Sequence, residues 1–146
     1  MNRKIKFIVL HCTATQPEAT VKAIQNCWRE TLKWNNPGYH FIIERDGEVI
    51  QLQHIDKIAN GVAGNNEHAI HISYIGGIDR KGKPIDNRTT PQKDSMFDKV
   101  VELSERYPDA KVVGHRDFPG VRKACPSFDV RAWIESYEPD VKKNAA

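Results

Sequence analysis

The sequence predicts an α/β (mixed α+β) domain: a central mixed β-sheet of about five strands flanked by about three helices. Three observations carry this. Short apolar runs rich in β-branched residues recur along the chain. Between them lie stretches whose apolar residues repeat at helical spacing. One pair of runs is joined by Asp46-Gly47, a strong hairpin signal.

The elements follow in order. Residues 5–11 read as a buried strand, and residues 13–19, polar with Pro17, as a loop. Thr20 is placed to cap a helix with Val21, Ile24, Trp28 and Leu32 on one face. Asn35-Asn36-Pro37-Gly38 ends it. Residues 39–45 and 48–52 form the hairpin, with Asp46-Gly47 as a two-residue turn. Residues 55–68 have no period and read as an irregular surface loop of the kind that lines sites. Residues 69–75 form the next strand, and 79–88 are polar and exposed. Thr90-Pro91 starts a helix whose stripe is Met96, Phe97, Val100, Leu103 and Tyr107. Residues 111–115 form a short strand and 118–126 a loop. Ser127 caps a last helix through Tyr137 with Trp133 and Ile134 inward, and the tail after about 138 is expected to be loose.

The 146 residues fit one domain, 1–146, with a core of ordinary size. Hydrophobic residues make up 39% and charged residues 28%, as in globular proteins. The net charge of +3 is mild and scattered, which argues against nucleic acid and suits weak attraction to an anionic polymer. No stretch approaches 18 apolar residues, so no membrane insertion is expected. The basic start has too short an apolar run for a signal peptide, which implies synthesis in the cytoplasm. Cys12, Cys27 and Cys125 do not make a disulfide framework. Cys12 and Cys27 read as packed thiols, Cys12 because it alternates with His11 across a strand.

Three residues of metal-binding type fall where strands stop. His11 ends the first strand, His115 ends the strand 111–114, and Cys125 lies ten residues beyond. Two imidazoles and a thiolate would leave a tetrahedral zinc one open position for water, as catalytic sites require. The spacing is too loose to decide alone: a core histidine bonded to backbone and a buried thiol compete with it. A cysteine-protease reading, Cys125 attacking with His115 as base, lacks a third group and has Pro126 beside it.

The words around these residues are specific. Val9-Leu10-His11-Cys12-Thr13-Ala14-Thr15 is followed by Gly38-Tyr39-His40-Phe41-Ile42-Ile43-Glu44-Arg45-Asp46-Gly47. Gly76-Gly77-Ile78-Asp79, Gly114-His115-Arg116-Asp117 and Lys123-Ala124-Cys125-Pro126-Ser127-Phe128-Asp129 come next. From about residue 5 to about 135 the chain resembles the N-acetylmuramoyl-L-alanine amidases of the amidase-2 type. The likeness is to their phage lysozyme branch, related to the animal peptidoglycan recognition proteins. The resemblance implies zinc as cofactor, held by His11, His115 and Cys125, with Tyr39 and Lys123 as catalytic residues. It implies peptidoglycan as partner and hydrolysis of the amide between N-acetylmuramic acid and L-Ala. Lys123 would stabilise the oxyanion and Tyr39 would hold or relay a proton. An aromatic core residue and a solvated surface charge are the plain alternatives for these two.

His40 should face away from Tyr39 in a structural hydrogen bond, and His54, His68 and His71 fall outside the matching words. Asp117 could orient His115 or be a turn acid. The chain departs from the pattern between residues 61 and 70. Phage relatives carry a histidine where Val62 stands and read Asn-x-x-Ser-Ile-Gly, where this chain has Glu67-His68-Ala69-Ile70-His71, with a short deletion. This segment should line the peptide groove.

Three functions are consistent with these residues: a lytic endolysin-like amidase, a cytoplasmic amidase recycling anhydro-muropeptides, and a non-catalytic peptidoglycan-binding module. The presence of Cys125 argues against the last. A monomer is expected, as is delivery to the wall by another system.

Overall fold

The structure is a computed structural model that describes residues 3–137. The expected loose tail lies outside the described residues. One five-stranded sheet carries β1 (Phe7–Cys12), β2 (Phe41–Ile43), β3 (Val49–Gln51), β4 (Ala69–Tyr74) and β5 (Lys111–Gly114) in the order β3-β2-β4-β1-β5. All neighbours are parallel except the β2–β3 hairpin. The mixed sheet with three α-helices is the predicted class.

Alternation along β1 and β4 divides the core. Ile8, Leu10 and Cys12 of β1, with Ile70, Ile72 and Tyr74 of β4, join one cluster with Met96, Val100 and Leu103 of α2 (Thr90–Arg106). On the opposite face Val9 packs with Ala69, Val62 and Phe118. His11 and His71 follow the same alternation onto that face, whose covering is loop rather than long helix.

Several boundaries differ from expectation for identifiable reasons. The hairpin turn has three residues, not two. Glu44 N–H donates to the Glu48 carbonyl, Gly47 N–H donates back to Glu44, and Gly47 takes φ +92°, a conformation suited to glycine. The cap of α2 is Thr89, not Thr90, because Gln92 at the third position completes a reciprocal capping box. The last helix, α3 (Val130–Glu135), is capped by Asp129. Ser127 sits at φ +69° and donates instead to the Gly77 carbonyl. Thr20 caps α1 (Val21–Asn26) as predicted, but the helix continues as one wider π-helical turn, Cys27–Thr31, and Cys27 is exposed.

Two polar segments enter the core. Arg88, predicted exposed, is buried beside Asp86 at 2.9 Å with its guanidinium 3.5 Å from the Phe128 ring centre. The irregular stretch after Leu52 buries Ile55, Ala59 and Val62, so it is more than a surface loop.

Candidate active site

The carboxyl ends of β1 and β5 bring two imidazoles together. His11 sits at the penultimate position of β1, fully buried. His115 opens the short 3-10 turn His115–Asp117 after β5 and is half-buried. Their ring centres are 5.0 Å apart. The loop after this turn returns Cys125 to the same point. Its carbonyl accepts from Arg116 N–H at 2.9 Å, and its sulfur accepts from Cys12 N–H at 3.2 Å. The Cys125 sulfur stands 3.8 Å from His11 Nδ1.

One ligand atom each from His11, His115 and Cys125 lies within 4.8 Å of the others. Bond lengths of about 2.0–2.1 Å to nitrogen and 2.3 Å to sulfur put tetrahedral ligand atoms about 3.6 Å apart. The sulfur-to-nitrogen separation fits that spacing, and the donor set suits zinc. Burial first, then the neighbouring His71 and His115, holds His11 well below its usual pKa. Burial, then the Lys123 charge, lowers His115. Both rings are therefore neutral at pH 7, as ligands must be. The adjacent Cys12 thiol, then burial, pushes the Cys125 thiol up; a cation bound there would hold it as thiolate.

These three residues line the floor of a cleft of about 170 Å³. Tyr39, Lys123, Trp28, Trp34 and Gly61 stand around it. The Tyr39 hydroxyl donates to the Cys12 carbonyl at 3.2 Å, and its ring lies 5.1 Å from that of His11. Burial, then nearby Cys125, raises the phenol above its ordinary value, so Tyr39 keeps its proton. Lys123 is exposed at the rim. A second cleft of about 170 Å³ continues along Trp28, Trp34 and Leu52. The π-helical turn presents Trp28 there, and Trp34 N–H donates to its carbonyl. Sequence reading assigned Trp28 to a helix face and gave Trp34 no role. Two tryptophans, eleven and five residues before Tyr39, were the available signal.

Other polar residues near the site have settled partners. His40 faces away from the cleft, as expected. Its Nδ1 accepts from His71 N–H at 3.0 Å, and its Nε2 lies 2.7 Å from the Lys57 carbonyl. Asp117 does not orient His115; its carboxylate accepts from Gly114 N–H at 2.7 Å and closes its own turn. His71, which sequence reading passed over, is fully buried with Nδ1 2.8 Å from His11 Nε2. His54 and His68 lie away from the cleft, beside Asp56 and the Lys4 carbonyl respectively.

Comparison with known proteins gives concordant results. Residues 1–128 match the family described as N-acetylmuramoyl-L-alanine amidase. The endolysin of Klebsiella phage KP32 is 38% identical over 133 residues, covering 90% of this chain and 86% of the relative. The endolysin of Escherichia phage T7 is 36% identical over 132 residues, covering 90% and 86%. Among solved structures, the endolysin of the Thermus scotoductus bacteriophage Ph2119 superposes with TM-score 0.77 at 24% identity, over 94% of this chain and 86% of that one. At that identity the likeness speaks for the fold.

Proposed function

This chain belongs to the amidase-2 family of N-acetylmuramoyl-L-alanine amidases, and from that premise we propose that it is a zinc-dependent, lytic amidase of peptidoglycan. The bond cut is the amide between the lactyl group of N-acetylmuramic acid and L-Ala. The observation that carries the reading is the meeting of His11 Nδ1, a His115 nitrogen and the Cys125 sulfur at the floor of an open cleft. A zinc ion bound there supplies Lewis acidity and a water whose pKa falls to about 7.

The chain's own residues do the rest. Tyr39, still protonated and anchored on the Cys12 carbonyl, is placed to relay to the departing L-Ala amine the proton that the attacking water gives up. Lys123 brings an exposed positive charge to the rim, where it would stabilise the oxyanion of the tetrahedral intermediate. Trp28 and Trp34, which line both clefts, offer apolar surface to the substrate beside the reacting carbonyl. In this reading the chain acts on the cell wall as a monomer. Among the described residues no helix is long and apolar enough to cross a membrane.

The test is to digest peptidoglycan with and without a chelator and assay the products. New L-Ala amines that vanish on chelation and return with zinc are expected. New reducing sugar ends, or cleavage indifferent to the chelator, would overturn the reading. Parallel digestion of intact sacculi and soluble anhydro-muropeptides separates the lytic from the recycling role.

A further inference from the structure

A metal-binding imidazole offers a lone pair from one nitrogen only if its proton sits on the other, so something must fix that choice. Here a chain of polar groups runs from a backbone amide through half-buried Asn66 and buried His71 to His11. Val62 N–H donates to Asn66 Oδ1 at 2.8 Å. A backbone N–H can only donate, so the atom facing it is the amide oxygen, not the nitrogen. The same oxygen lies 2.9 Å from His71 Nε2, which must therefore carry a proton. A neutral His71 then has a bare Nδ1, 2.8 Å from His11 Nε2. That nitrogen accepts, so His11 is protonated on Nε2 and bare on Nδ1. The bare nitrogen is the one 3.8 Å from the Cys125 sulfur.

We infer that His71, oriented by Asn66, is a positioning residue that holds His11 in the tautomer whose Nδ1 points at the metal position. The surroundings are shaped for this ring. A side chain at Gly61 would bring its Cβ within 2.3 Å of His71 Nδ1, so only glycine lets the loop close over it. The His40 ring stacks on the other side at 5.8 Å, tilted by 14°, and receives the His71 backbone N–H. The parallel register of β1 and β4 sets Val9 opposite His71 and His11 opposite Ser73, which brings the two imidazoles to one face two positions apart.

The inference rests on the proposed ligand set, and the experiment separates the two. Nitrogen-15 histidine spectra of the zinc-free protein read the tautomer directly, and chelator competition reads zinc affinity. In the wild type, His11 should be protonated on Nε2. His71→Phe removes the acceptor at similar size and should weaken zinc by about 10–100-fold, with mixed His11 tautomers. His71→Asn puts an amide oxygen where Nδ1 stands and should stay within about 3-fold of wild type. A wild-type His11 protonated on Nδ1, or a folded His71→Phe with unchanged zinc affinity, would overturn the inference. If His71→Phe does not fold, Asn66→Ala takes its place, with loss of the single tautomer expected. A wild type that binds no zinc would instead end the ligand assignment itself.

Discussion

The two sides of the candidate active site are built from opposite materials. On the inner side His11, His71 and His40 are buried, and half-buried Asn66 joins them in a set of hydrogen bonds of 2.7–3.0 Å. The outer side, Tyr39 and Lys123, is more open, half-buried at Tyr39 and exposed at Lys123. Buried neutral imidazoles cannot reorient cheaply, because each lost partner strands a polar group away from water. The exposed lysine has no such constraint. The difference suggests a division of labour, in which the inner side fixes where a metal sits and the outer side handles charge and protons that appear during reaction.

The sharpest way to break this division is through the proposed ligands. His11→Ala and Cys125→Ser should each remove zinc and, with it, essentially all cleavage, a loss of about 10⁴-fold or more once the activated water is gone. Bound zinc measured by elemental analysis should fall with activity. Cleavage persisting in metal-free Cys125→Ser would separate chemistry from metal and undo the comparison.

Changes on the outer side should do less and leave the metal in place. Tyr39→Phe keeps the ring against His11 but loses the proton, with a fall of about 10²–10³-fold in kcat expected. Lys123→Ala should cost about 10²-fold, the scale for one oxyanion donor. Zinc content should stay at wild-type level in both. A variant with normal turnover takes that residue out of the mechanism, and one that loses zinc moves it to the inner side.

What sequence made legible follows the same line. The strand runs were readable because β-branched residues alternate or cluster over short lengths, and β1, β4 and β5 appear within two residues of expectation. The strand-end placing of His11 and His115 was equally readable. The partnership of His71 with His11 was not, since it depends on the parallel register of strands sixty residues apart, which no local period encodes. Caps misplaced by one or two residues had a different cause. Thr89 and Thr90 are alike in type, and only the reach of Gln92 chooses between them. Arg88 read as exposed because its charge was visible and the aromatic rings that bury it, from Tyr74, Phe128 and Trp133, were scattered.

Acid should distinguish the two sides with the smallest change in composition, a few protons. Burial, opposed by the bond to the Lys57 carbonyl and helped by the Arg3 charge, lowers His40 to about 4. His71, which donates its backbone N–H to this ring, is itself held neutral by burial and then by His40. An unfolded histidine titrates near about 6.5, so between about pH 6.5 and about 4 the unfolded chain binds the extra proton. The stability this group contributes is whole above that window and is lost as pH falls through it. At pH 5 the loss from His40 alone is about 2 kcal/mol. Asp86 does not confuse the measurement. Burial works against its carboxylate, but Arg88 outweighs that and holds it below its ordinary value, so its protonation begins at lower pH. Chemical denaturation of the zinc-free protein at pH 7 and pH 5 should show at least this drop. In His40→Asn, whose amide oxygen still receives the His71 N–H but does not titrate, the drop should shrink by about the same amount. An equal drop in both proteins would mean that the acid-sensitive charge lies on the open side, and the inner imidazoles would no longer be what sets the protein's tolerance of low pH.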